Sequence, residues 1–385
     1  RDTPLPKRMD YIFKIYNAMK ENLEDLAQAI ALDQAKHISE ARGEVGRVIE
    51  IVQMACSIPA LMQGETIQGI ANNINGRVIK APLGVFCGVA PFNFPALVFG
   101  WFIPVAIGTC NTFVYKPSTE SPLFMQKMMQ LLVVAMEDAP MDLLIENIIM
   151  SGYGSAGQRC LAVSNIVVMP EIHDEFVERL LEASKDITLG DATNPDIFMG
   201  PVISLKAKER IHSYIDIGLK EGANLALDGR NPKLPKANQD GYFIGPTVFT
   251  GVTPCMRIAQ EEIFGPVLSV LKAGCIDTAL KMISDHGLGN GACIFTQNSY
   301  YTEKFINDAD VGMIGVNVGI CAPHPYLPFG GIKGSLVGNN KVQGKDAIDF
   351  FTQNKTATIR IVNPTSSDST TVEVTDDSVR SCVAG

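Results

Sequence analysis

Gly152-Tyr153-Gly154-Ser155-Ala156-Gly157-Gln158-Arg159-Cys160 reads as a flexible turn that delivers one cysteine to the edge of a strand. The apolar run Leu161-Ala162-Val163-Ser164-Asn165-Ile166-Val167-Val168 follows at once, rich in β-branched residues. Glycines let a backbone and a substrate come close, and a thiol held there can attack a carbonyl and keep the product as a thioester. Taken alone, a cysteine beside a glycine-rich turn is more often a buried packing residue. The rest of the chain decides between these readings.

The 385 residues suffice for two or three domains with sizeable cores. The chain is 46% hydrophobic and 19% charged, with glycine and proline spread throughout, a composition typical of soluble α/β proteins. A net charge of -9, with no block of Lys and Arg, argues against a nucleic-acid partner. Nine cysteines without a CxxC pair fit reduced thiols rather than a disulfide framework. The five histidines are scattered, His286 and His324 among them as solvated loop residues, and no metal site is expected. The chain opens on Arg1 with no presequence pattern, which reads as a mature or incomplete start.

Apolar residues at helical spacing predict a helix over residues 8–38 and a second over 40–63. The charges of the second, Glu40, Arg42, Glu44, Arg47 and Glu50, read as a solvated face. Residues 76–84 suggest a strand. The next stretch, 85–110, is apolar enough to raise a membrane span, which needs about 20 residues. Pro91, Pro95 and Pro104 instead cut it into strand, turn, short helix and strand, a βαβ unit buried on both sheet faces. A strand at 112–115 leaves Lys116 at its carboxyl end, where open α/β sheets bind ligands. A Met-rich helix is expected at about 121–136. Residues 345–361 read as a C-terminal strand, and the Ser-, Thr- and Asp-rich tail from Asn363 onward as disordered.

Several motifs occur in one order: Ala90-Pro91-Phe92-Asn93-Phe94-Pro95, then Gly108-Thr109-Cys110-Asn111-Thr112 running to Lys116-Pro117-Ser118, then Gly157-Gln158-Arg159-Cys160. Gln260-Glu261-Glu262-Ile263-Phe264-Gly265-Pro266 and Pro328-Phe329-Gly330-Gly331 follow. Together they resemble the aldehyde dehydrogenase superfamily, most closely its CoA-acylating methylmalonate-semialdehyde dehydrogenase branch, over about residues 1–361. The resemblance implies a parallel-sheet cofactor domain, an α/β catalytic domain and a small bridging β element. It implies boundaries of 1–138 for the N-terminal helices and cofactor domain, with a bridging strand at 74–84. Residues 139–330 would be the catalytic domain, and 331–362 would return to the cofactor domain and end in the bridging strand.

Cys160 would then be the nucleophile, and Asn93 with the Cys160 backbone N–H would stabilise the oxyanion. Ala90, Phe92, Lys116, Glu262 and Phe264 would hold NAD. Arg47 and Arg159 would receive a substrate carboxylate, and Arg159 would also favour the thiolate. CoA, as co-substrate, would release the acyl group. One departure is large: at ~30 residues per βαβ unit, on the order of 60–90 residues of the cofactor domain are missing near residue 138. A smaller departure is Thr119 before Glu120, where the family places Glu directly after Ser. Hydrolytic release of the thioester with NAD(P), and a catalytically silent shortened homologue that acts through partners, remain open as alternatives. The resemblance further implies a homo-oligomer, a dimer or tetramer with a sheet edge covered by a partner subunit. It points to the mitochondrial matrix, with the cytoplasm as the alternative.

Overall fold

The computed structural model describes residues 3–116, Ser118 and residues 131–361. Glu120, the first part of the Met-rich helix and the tail lie outside them. The chain divides into two compact units: residues 1–62 with 82–352, and residues 63–81 with 353 onward.

The first unit begins with α1 (Leu5–Glu21), α2 (Leu23–Gln34), α3 (Ile38–Ala55) and α4 (Ile58–Leu61). The single helix expected over 8–38 is therefore two. Asn22 leaves helical geometry at φ -112°, and Ala35 adopts a left-handed φ of 56° that ends α2. The helix expected over 40–63 also breaks, at Cys56 and Ser57, where the Ser57 hydroxyl donates to the Met54 carbonyl at 2.6 Å. Along α3 the buried stripe is Ala41, Glu44, Val45, Val48, Ile51, Val52 and Ala55. A carboxylate thus sits inside an otherwise apolar helix face, and the solvated-face reading fails there.

The second unit is a three-stranded sheet made by β1 (Glu65–Ala71), β2 (Ile74–Pro82) and β14 (Thr352–Arg360), in the order β1-β2-β14. β1 and β2 pair antiparallel around a tight turn with Asn73 at φ 58°, so the expected bridging strand is half of a hairpin. Every residue of β1 is exposed.

Back in the first unit, β3 (Val85–Val89), α5 (Pro95–Gly108) and β4 (Thr112–Lys116) form a βαβ unit whose strands pair parallel. α5 is longer than expected and runs through Pro104. Its packing compensates the lost hydrogen bond: Val98, Gly100, Val105 and Gly108 are buried, Gly100 against Val48 of α3. The two strands are covered on one face only. Phe86 and Phe113 pack into the helical cluster, whereas Val85 is 75% and Val114 55% exposed. The expectation of burial on both faces fails because, among the described residues, this two-stranded sheet is packed against helices through one face only.

The remaining elements are β5 (Leu131–Ala135), α6 (Met141–Tyr153), β6 (Val163–Val168), α7 (His173–Lys185), α8 (Leu205–Lys220), β7 (Asn224–Leu227), β8 (Thr247–Val252), α9 (Arg257–Gln260), β9 (Val267–Lys272), α10 (Ile276–Asp285), β10 (Leu288–Gly289), β11 (Gly291–Phe295), α11 (Ser299–Asp308), β12 (Met313–Val316), β13 (Ile332–Lys333), α12 (Gly344–Phe351) and β14 (Thr352–Arg360). Seven strands form one sheet in the order β12-β11-β5-β6-β9-β8-β7, parallel except for the β7–β8 pair. β6 is buried at every residue but Ser164 and β9 at every residue but Lys272, as expected of strands covered on both faces. Each fully buried Val or Leu there contributes about 1.5–3 kcal/mol.

Three expectations are corrected here. Residues 131–135, expected at the end of a helix, are the central strand β5, and Asp138 behind it receives hydrogen bonds from Thr296 Oγ1 at 2.6 Å and the Gln297 N–H at 2.9 Å. The seven-stranded sheet therefore includes residues ahead of 139. The C-terminal stretch is half helix, half strand: α12 buries Ala347, Ile348 and Phe351 against Ile12, Val52 and Val105 before β14 begins. His286, expected to be solvated, is buried, with its ring nitrogen 3.2 Å from the Ala259 carbonyl. Among the described residues no helix is long and apolar enough to cross a membrane.

Candidate active site

The turn before the cysteine is left-handed. Ser155 (φ 50°), Ala156 (φ 53°) and Gly157 (φ 68°) follow the end of α6 in succession. For L-residues this costs about 1–2 kcal/mol each, so neighbouring contacts must hold it. The Ser155 hydroxyl donates to Glu40 Oε2 at 2.6 Å, and the Ile203 N–H donates to the Gln158 side chain at 3.2 Å. Gly157 admits no Cβ, which would collide with the Gly265 carbonyl, and one on Gly154 would meet Glu40 and Arg159. The glycines of the motif are thus close-approach positions. Arg159 forms an ion pair with Glu40, both side chains about nine-tenths buried. Cys160 follows, partly exposed, just ahead of β6.

Asn93 lies in the turn between β3 and α5 and is 5% exposed. Its backbone carbonyl accepts from Gln34 Nε2 at 2.9 Å and Lys36 Nζ at 2.6 Å. Lys36, itself 1% exposed, pairs with Glu44 Oε2 at 2.7 Å and lies 4.0 Å from the Phe94 ring centroid. Glu44 Oε1 accepts the first N–H groups of α5, from Ala96 at 2.8 Å and Leu97 at 3.1 Å, a favourable place for a carboxylate at a helix N-terminus. Lys36, Glu40, Glu44 and Gln34 are the residues the sequence reading missed. The signal was there for the two acids: they are four apart on a helix, in register with Ala41, Val45 and Val48.

Two cavities meet at Cys160. The first, of about 220 Å³, is apolar, lined by Pro91, Asn93, Val98, Trp101, Phe264 and Phe329 with the thiol. Phe92 meets Phe264 edge-on at 5.8 Å, and Phe264 itself has a left-handed φ of 56°. Arg210 of α8 holds this segment by donating to the carbonyls of Glu262 and Ile263. The adjacent acids differ sharply. Glu261 accepts from Tyr214 and Arg257, which hold its carboxyl down at about 2. Glu262 is half-buried, its enclosed Oε1 has no partner, and burial pushes its carboxyl up to about 8. The second cavity, of about 380 Å³, is charged: Lys36, Glu40, Glu44, Arg47 and Arg159 line it with Phe94, Leu97 and Ile320. Arg47 pairs with exposed Glu50 at 3.1 Å.

The expected site residues separate into two groups. Cys160, Asn93 and Phe264 line one cavity, and Arg47 and Arg159 share the other with Cys160. Ala90 and Phe92 are buried behind the first, with the Ala90 N–H donating to the Lys116 carbonyl at 2.9 Å. Lys116 itself is exposed at the end of β4. Arg159 favours the thiolate, but it is outweighed. Burial, and next the charge of Glu262, push the Cys160 thiol up to about 12, and Lys36, Arg159 and its own backbone N–H offset only part of this.

The aldehyde dehydrogenase family model matches residues 1–136 and 132–357. The malonate-semialdehyde dehydrogenase of Halalkalibacterium halodurans is 35% identical over 422 aligned residues, spanning 93% of this chain and 86% of that protein. That of Bacillus velezensis is 35% identical over 426 residues, spanning 94% and 87%. The crystal structure of methylmalonate-semialdehyde dehydrogenase from Oceanimonas doudoroffii superposes with a TM-score of 0.90 at 30% identity, over 94% of this chain and 88% of that one. Betaine aldehyde dehydrogenase from Staphylococcus aureus, solved in complex with NAD+, superposes with a TM-score of 0.87 at 25% identity, over 94% and 85%. These relatives are bacterial and lend no support to the mitochondrial expectation. The 422 aligned positions exceed the 385 residues here, so that relative carries a stretch this chain lacks. The two family matches overlap at residues 132–136, within β5 and Met136 and close to the break expected near 138. The chain belongs to the aldehyde dehydrogenase family, in a form with a shortened cofactor domain.

Proposed function

We propose that the chain oxidises a malonate-semialdehyde-type aldehyde with NAD, through a thioester on Cys160 that is released to CoA. The observation that carries this reading is the position of Cys160 at the meeting of an apolar and a charged cavity. The unpartnered Glu262 Oε1 supports a fit to the nicotinamide ribose, whose hydroxyls would supply the missing donors, with Phe264 behind the ring. NAD, when bound there, supplies the hydride acceptor.

The residues divide the work. The Cys160 thiol loses its proton and its sulfur bonds to the aldehyde carbon, while the Asn93 amide and the Cys160 N–H face the oxygen that becomes negative. Loss of hydride from that carbon leaves the acyl thioester. The charged cavity selects for a carboxylate on the substrate. Arg159 is committed to buried Glu40, whereas the exposed Arg47–Glu50 pair is worth only about 0–1 kcal/mol, so Arg47 is the guanidinium more readily given to substrate. Glu40 and Glu44 are each tied to a cation and further donors, so neither is free to activate water. That supports attack by the CoA thiolate, which expels the Cys160 sulfur. The exposed β1 and the edge of its sheet support a homo-oligomer, dimer or tetramer, with light scattering as the check.

Trp101 is the chain's one tryptophan and lines the apolar cavity, so NAD titration followed by its fluorescence tests the reading. Saturable quenching is expected, then NADH formation from malonate semialdehyde that depends on CoA and is lost in Cys160→Ala. No binding at millimolar NAD would sink the dehydrogenase reading and favour a silent homologue. Turnover without CoA would favour hydrolysis.

A further inference from the structure

The loop that carries the thiol and the loop that carries the oxyanion donor belong to distant parts of the chain, and both are held by α3. Glu40 takes Ser155 and Arg159 on the thiol side, and one turn later Glu44 takes Lys36 and the start of α5 on the Asn93 side. Lys36 is the member of this network that touches the oxyanion loop with a full charge. A buried ammonium is costly unless carboxylate and hydrogen bonds surround it. Here it has the Glu44 carboxylate at 2.7 Å, the Asn93 carbonyl at 2.6 Å and the Phe94 ring face. Packing alone does not require that charge, because neutral Gln34 already donates to the same carbonyl.

Building on the proposed thioester chemistry, we infer that Lys36 is a positioning residue of the oxyanion site. Its ammonium fixes the Asn93 peptide so that the side-chain amide stays aimed at the reacting oxygen, and its charge stabilises the negative sulfur and oxygen formed beside it. The groups that face this region are Glu40, Glu44 and Arg47 of α3, Arg159 of the thiol loop, Glu262 from the segment before β9, and Tyr115 of β4, whose hydroxyl donates to the Pro95 carbonyl. Lys36 and Arg159 both favour the thiolate, against Glu262.

The test compares the full chain with Lys36→Met, Lys36→Arg and Gln34→Met. It measures steady-state turnover and the pH dependence of Cys160 alkylation by iodoacetamide, with Cys160→Ala as background. Lys36→Met is expected to lower kcat about 10- to 100-fold with KM within about threefold, since small misplacements of catalytic groups cost that much. Its alkylation midpoint should move to higher pH, and Lys36→Arg should restore much of both. Gln34→Met should lower kcat without moving the midpoint, which separates anchoring from charge. Folded Lys36→Met with unchanged kcat and midpoint would overturn the inference. If Lys36→Met does not fold, Glu44→Gln reads the same pair: the midpoint should fall, and an unchanged midpoint overturns the inference. Should the native chain show no turnover at all, the proposed function fails, while the alkylation profiles still decide the role of Lys36.

Discussion

The two cavities at Cys160 treat their acids in opposite ways. On the charged side, buried Glu40 and Glu44 are each saturated by a cation and by N–H or O–H donors. Next to the Phe264 segment that lines the apolar side, Glu262 is only half-buried but has an enclosed oxygen with no partner, although Glu261 beside it is fully paired. A buried polar atom left unpaired costs about 1–3 kcal/mol, so a fold keeps one where a ligand completes it. The acids that line the charged cavity are thus already paired, whereas the acid next to the apolar cavity keeps an oxygen with no partner.

Three substitutions would break or sharpen that contrast. Asn93→Ala removes the oxyanion donor on the apolar side and should lower kcat roughly 10²- to 10³-fold in steady-state assays, with Trp101 quenching by NAD retained. A loss below about threefold would show that the charged side alone stabilises the oxyanion. Arg47→Gln should raise KM for malonate semialdehyde about tenfold and leave propanal, which has no carboxylate, unaffected. Equal losses on both aldehydes would mean that Arg47 shapes the cavity instead of reading the carboxylate.

Glu262→Gln gives the smallest effect, seen in stability against pH. The Glu262 carboxyl is raised from 4.5 to about 8, so the folded chain holds a proton that the unfolded chain releases. Stability from this group thus falls as pH rises between about 4.5 and 8 and is level above. The melting temperature of Glu262→Gln minus that of the native chain should grow by a few degrees across this window. A gap that does not change with pH would mean that Glu262 is already paired.

Much of the site was legible from residue order. The Asn93 turn, the Cys160 turn and the Phe264 segment stand out because glycine, proline and aromatic residues mark strained or closely approached backbone, and the structure brings all three to one cavity. The helix breaks at Asn22 and Ser57 were not legible, since apolar periodicity continues across them and each break depends on packing. β5 was misread for a related reason: five residues between two helical patterns carry too little periodicity to announce a strand, and the sheet decides.

The sequence by itself determined the family, the order of the elements around the nucleophile, and the loss of part of the cofactor domain, because these are written in local motifs and their spacing. Only the tertiary structure decided which charges matter. Spacing sets Glu40 and Glu44 beside the apolar stripe of their helix but names no partner for either, and Lys36 looks like any lysine between helices. The partner that turns Glu40 into scaffolding, Ser155, lies 115 residues away along the chain. Pairing at such a distance leaves no periodic trace, and burial around the pair sets its strength.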